Sequence, residues 1–161
     1  MNFAGALITV AVAYYCGLSL ARYSGEGLKT VDSLISFFGF MRRRIVSGLM
    51  PINQVITEFS DKHLEKIGFL PVLRAQNANF SVLWEGAFGL LELNKELYSE
   101  LLRFGRDLGK LPFDEQIISL DQCIELLEGE RARIYKELPQ KQKTQKTTCL
   151  LCGLLTAIIL L

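Results

Sequence analysis

Residues 28–50 read LKTVDSLISFFGFMRRRIVSGLM. Within them Val31, Leu34, Ile35, Phe38, Ile45, Val46 and Leu49 recur at spacings of three and four, the signature of one apolar face on a long helix. Gly48 and Pro51 then stop it, because neither continues a helix at low cost. The same period governs the next segments. Val55, Ile56 and Phe59 predict a second helix beginning at Asn53 and broken by Gly68 and Pro71, before a short third segment at 72–78. Trp84 falls in a fourth helix at 80–91. Asn94 is placed to cap a fifth helix through Leu97, Leu101 and Phe104, with a stop in the glycine- and proline-bearing stretch 105–112. Asp114 caps a sixth, where Ile117, Leu120, Ile124, Leu127, Ile134 and Leu138 keep a near-heptad spacing. No segment alternates apolar and polar residues long enough to form a sheet. The expectation is an all-α bundle of about six helices whose long first and last members pair antiparallel.

Outward from this core the charge disappears. Residues 3–21 carry no Asp, Glu, Lys or Arg, and a helix of that length reaches roughly 30 Å, the thickness of a bilayer core. Residues 147–161 form a second charge-free run of only about 22 Å, enough to span with local thinning or with the terminal carboxylate in the interface. A cleaved signal peptide has its positive charges before the apolar core; here Arg22, Lys29 and the arginines at 42–44 come after it, so an uncleaved anchor is expected. Lys136, Lys141, Lys143 and Lys146 crowd the approach to the second run. The positive-inside rule then puts the central domain in the cytoplasm and both termini outside. The organisation expected is a transmembrane anchor at 1–22, a cytoplasmic helical domain at 23–146 and a short second transmembrane segment at 147–161. Gly5, Ala13 and Gly17 supply a small-residue face for packing against other membrane helices.

Eighteen basic and seventeen acidic side chains in 161 residues leave a net charge of +1, which gives no nucleic-acid surface beyond local clusters. Four cysteines do not build a disulfide scaffold: Cys16, Cys149 and Cys152 lie in or beside the apolar runs and Cys123 in a helical pattern. The Cys149-x-x-Cys152 spacing lacks the sheet context of a redox motif. One histidine, His63, in a polar stretch reads as a surface residue and cannot form a metal site alone. Gly105-x-x-x-Gly109 has no Gly-Lys-Ser/Thr sequel and reads as a turn or a close helix contact. Glu125, Glu128 and Glu130 read as a solvated face with Arg131 and Arg133. No catalytic residue, cofactor or metal is expected.

Arg42, Arg43 and Arg44 are the remaining candidates for contact. Three adjacent guanidiniums point around a helix, and each is able to clamp a carboxylate or phosphate, so they are candidate contacts to an acidic partner or to lipid headgroups.

Several further positions carry a resemblance. Gly5-Ala6 and residues 17–23, Ile45 with Gly48-Leu49-Met50-Pro51-Ile52, Trp84, and Leu102-Arg103-Phe104-Gly105-Arg106-Asp107-Leu108-Gly109 followed by Gln116 resemble the stage III sporulation protein AB family over essentially the whole chain. The resemblance implies a membrane protein of endospore formers, a subunit of the complex joining mother cell and forespore. It also implies a helical domain similar to the cytoplasmic domains of F-family platform proteins of type II secretion and type IV pilus systems. The partners implied are a secretion-type ATPase similar to stage III sporulation protein AA and other membrane subunits of the same channel complex. Gly48, Pro51, Trp84, Phe104, Gly105, Leu108, Gly109 and Gln116 are the family-motif positions, with a structural or an interface role. Arg44 stands where the family pattern has an acidic residue, and Pro112 where it has Asp, so no ionic contact is carried over at either place. Two roles are expected: a non-enzymatic platform that docks the ATPase in the mother-cell membrane, or a structural adaptor that anchors other subunits without touching an ATPase.

Overall fold

The computed structural model describes residues 12, 15, 25–48, 51–75 and 79–160. Among these residues there are seven helices and no strand, in accord with the all-α expectation. They are α1 (Glu26–Gly48), α2 (Ile52–Glu58), α3 (Lys62–Ile67), α4 (Phe69–Leu73), α5 (Phe80–Phe88), α6 (Lys95–Asp107) and α7 (Phe113–Leu160). Lys29–Arg131 forms one compact unit, and the described residues outside it belong to a second.

The core of the first unit is built on α1. Val31, Leu34, Phe37, Phe38, Met41 and Ile45 are buried, whereas Ile35 is half-buried and Val46 is 51% exposed. The buried arc is therefore turned toward Phe37 and Met41 from the face that spacing alone suggested. The reason is aromatic. Phe37 stands edge-on to Phe59 (5.2 Å between centroids) and Phe69 (5.7 Å), while Phe38 meets Trp84 (6.1 Å) and Phe104 (5.5 Å). Each such pair adds about 0.5–1.5 kcal/mol beyond the area it buries, so the aromatic rings set the helix rotation.

Between α1 and α5 the boundaries differ from the sequence expectation. A single helix was expected from Asn53 to Gly68, but the chain turns extended at Phe59 and restarts at Asp61, whose carboxylate accepts from the backbone N–H of His63 and Leu64, both at 2.9 Å. The carbonyl ends left by α2 are met by Arg74, which donates to the Ile56 carbonyl at 3.3 Å and to the Phe59 carbonyl. Gly68 closes α3 in the left-handed conformation at φ 90°. Pro71 does not break a helix; it lies in the first turn of α4, where a missing N–H costs nothing. Of the segment expected at 72–78, Val72 and Leu73 fall in α4, Arg74 and Ala75 follow it, and 76–78 lie outside the described residues.

Later elements keep closer to the sequence expectation. Asn94 caps α6, accepting from Glu96 N–H at 3.4 Å. The helix passes through Gly105 and ends at Asp107, inside the stretch expected to stop it. α7 begins one residue before Asp114, and the Pro112 carbonyl accepts from Gln116 N–H at 3.0 Å. It then continues through Pro139, joining the expected second apolar run into one 48-residue helix. Among the described residues no helix is long and apolar enough to cross a membrane. Apart from Val12 and Tyr15, the first apolar run, with Gly5, Ala13 and Gly17, lies outside the described residues.

Two ion pairs orient α1 against α7. Arg42 meets Asp121 and Asp32 meets Arg131, so residue numbers fall along one helix as they rise along the other. That order is antiparallel.

Candidate functional site

Three of the family-motif residues, Trp84, Phe104 and Gly105, meet at the joint between α5 and α6. Trp84 is 1% exposed, and its indole N–H donates to the Leu101 carbonyl at 2.9 Å. Phe104 packs at 5.8 Å from the indole, and Phe88 at 4.9 Å. Gly105 is buried in the same contact: a Cβ there would overlap Cδ1, Cγ and Nε1 of Trp84. Its hydrogen is what lets the indole lie against the α6 backbone and reach the carbonyl one turn earlier. The expected close helix contact is thus found at Gly105, and the turn is found at its neighbours.

Leu108 ends α6 in an extended conformation, stays buried, and donates its N–H to the Phe104 carbonyl at 2.9 Å. Gly109 has φ 79°, a region that side chains with a Cβ rarely enter. Gln116 reaches back from α7 to donate to the Leu111 carbonyl at 3.0 Å. Pro51 precedes α2, and its carbonyl accepts from Gln54 and Val55. Gly48 is the last residue of α1. Trp84, Phe104, Gly105, Leu108 and Gln116 therefore hold elements together from inside, while Pro51 and Gly109 are exposed turn residues.

The three arginines are not gathered into one patch. Arg42 clamps Asp121 with two donors, Nε at 2.5 Å from Oδ1 and Nη2 at 3.1 Å from Oδ2. That hydrogen bond and the adjoining charge raise the Arg42 pKa further, so it is cationic at every working pH. Arg44 bridges to Glu58 of α2 at 2.9 Å and lies over the Phe40 ring at 5.2 Å. Arg43 is exposed between them and makes no ion pair among the described residues.

Residues 2–161 match the family described as stage III sporulation protein AB. The chain belongs to that family. No curated protein and no solved structure matches it.

In this stage III sporulation protein AB member the titratable groups with buried surroundings are few. Burial pushes the Cys123 thiol up to about 12, with the Glu100 carboxylate adding to the shift and Arg103 opposing it. Such a thiol stays protonated at neutral pH and is a packing residue of α7. His63, expected on the surface, is half-buried, with Nε2 2.9 Å from Thr30 Oγ1 of α1. The bond is non-local, so the polar residues around His63 held no sign of it. A cleft of about 340 Å³ opens between α2 and α5, bordered by Asn53, Thr57, Arg74 and Phe80. Its one cation, Arg74, is already committed to backbone carbonyls and to Glu65 at 3.7 Å. Among the described residues no group of three or more His, Cys, Asp or Glu side chains is placed to hold a metal ion.

Proposed function

We propose that this sporulation protein is a non-enzymatic membrane platform of the mother cell–forespore channel complex, docking a hexameric secretion-type ATPase. The observation that carries the reading is the family match over residues 2–161, joined to the helical domain that the resemblance to F-family platforms implies. The motif residues Trp84, Phe104, Gly105 and Leu108 are occupied in the core, which leaves the outer helix faces for contact. In this reading residues 1–22 and 147–161 hold the protein at the mother-cell membrane, and the intervening domain meets the ATPase on the cytoplasmic side. Catalysis belongs to the partner. Arg43 is the member of the arginine triplet available to an external carboxylate or headgroup phosphate.

The test is a titration of the full-length protein, in lipid vesicles, with the ATPase of the same sporulation system, monitoring binding and hydrolysis rate together. Saturable binding supports the platform, and a changed rate adds regulation. Absence of binding by demonstrably folded protein overturns it and leaves the structural adaptor.

A further inference from the structure

The outward side of α7 is as ordered as its buried side. Leu120, Cys123 and Leu127 face the core. Opposite them Asp114, Ile118, Gln122, Glu125 and Gly129 recur at spacings of four, four, three and four, which is one straight stripe on a helix. Ile118 is 57% exposed, and Leu126 beside it 44%.

Three observations set this stripe apart from an ordinary solvated surface. First, its apolar side chains stand in line with acidic ones: Asp114, Glu115, Glu125 and Glu128 are all exposed, and none makes an ion pair among the described residues. The bases that follow Glu125 and Glu128 are used elsewhere, since Arg131 pairs with Asp32 of α1 and Arg133 with Glu137. Secondly, Gly129 stands in mid-helix on the stripe with nothing within 4 Å of where its Cβ would be. The fold needs no glycine there, and glycine weakens a helix interior relative to alanine. It leaves this point of the exposed face open to a close approach from outside. Thirdly, the charge selects the occupant. A second copy presenting the same face would set carboxylates against carboxylates, and an anionic lipid surface would be repelled in the same way.

We infer that this α7 face is the docking surface for a basic helix of the ATPase partner, one that carries Lys or Arg on either side of an apolar stripe and passes close over Gly129. Ile118 and Leu126 supply the apolar contact, the four carboxylates receive the cations, and Gly129 lets the two backbones approach. The inference rests on the platform reading.

The experiment is the vesicle titration with the same ATPase, run on wild type, on Glu125→Lys/Glu128→Lys and on Gly129→Leu. Wild type binds, and its affinity falls as salt rises. The charge-reversed protein binds at least ten-fold more weakly and loses most of that salt dependence. Gly129→Leu binds at least ten-fold more weakly while its thermal midpoint is not lowered, which separates a blocked face from a damaged fold. If wild type does not bind, the platform reading itself fails. If wild type binds and both variants bind within two-fold of it, the ATPase docks elsewhere and the assignment of this face is overturned. It is overturned equally if the substitutions change only self-association of the protein or only its association with anionic vesicles.

Discussion

Arg42 and Asp121 form a two-point clamp between α1 and α7, with both guanidinium donors on both carboxylate oxygens. Ten residues earlier on α1 and ten later on α7 the charges are exchanged, Asp32 against Arg131. The order is acid then base on one helix and acid then base on the other, so only an antiparallel pairing matches opposite charges at both ends. Reversing one helix would set like charges together, and shifting the register would part both pairs.

Arg42→Asp should therefore destabilise the protein by setting two carboxylates face to face. Arg42→Asp combined with Asp121→Arg should recover most of the loss. Urea midpoints read by circular dichroism measure both, and the difference between single and double variants should shrink in high salt. Equal midpoints for wild type, single and double variants would mean that the clamp contributes nothing to register.

Gly105→Ala poses a contest of signs. Helix propensity alone favours alanine at an interior position by about 1 kcal/mol. The added methyl overlaps the indole of Trp84, which is buried and held by its hydrogen bond to Leu101, and overpacking of that kind costs typically about 1–3 kcal/mol or more. The variant should be less stable by chemical denaturation; a gain in stability would show that Trp84 moves aside freely.

Phe104→Ala removes a side chain that is 4% exposed and touches both Phe38 and Trp84. A loss of about 3–5 kcal/mol is expected. An unchanged unfolding midpoint would contradict its place in the core.

Cys123 should resist alkylation at pH 8 in the folded protein and react only once denaturant is added, because its pKa is raised to about 12 and little thiolate is present. The unfolded thiol loses its proton near its ordinary value of 9.0, while the folded one keeps it, so this group's contribution to stability is present below that pH and declines between there and about 12. Rapid native-state labelling at Cys123 would place it nearer the surface.

Among the arginines, Arg43→Glu should leave folding unchanged and weaken binding to anionic vesicles or to the ATPase. Arg44→Glu should disturb folding as well, since Arg44 holds Glu58 and covers Phe40. If Arg43→Glu changes neither binding, that side chain is simply solvated.

What the sequence made legible was local. The helix at α1, the Asn94 cap of α6 and the absence of strand patterning each depend on residues within a few positions of one another, and these expectations hold among the described residues, although the buried arc of α1 is turned toward Phe37 and Met41. The gaps arise where distant residues decide. α2 and α3 read as one helix because no Gly or Pro stands between Asn53 and Gly68, while Arg74, which caps α2, lies fifteen residues beyond Phe59. Gly105 read as a turn or a close helix contact, and its spacing could not decide between them because its partner, Trp84, sits on another helix. The arginine triplet read as one contact feature, yet its first and third members are drawn to Asp121 and Glu58, which no spacing rule predicts.

Trp84 is the single tryptophan of the chain, and it is enclosed by phenylalanines with its N–H engaged. Its fluorescence is consequently a built-in gauge of one place only. Opening of the α5–α6 joint should shift the emission to the red, whereas a partner settling on an outer face should leave the colour unchanged. A single cuvette can thus tell a variant that has lost its shape from one that has lost its companion.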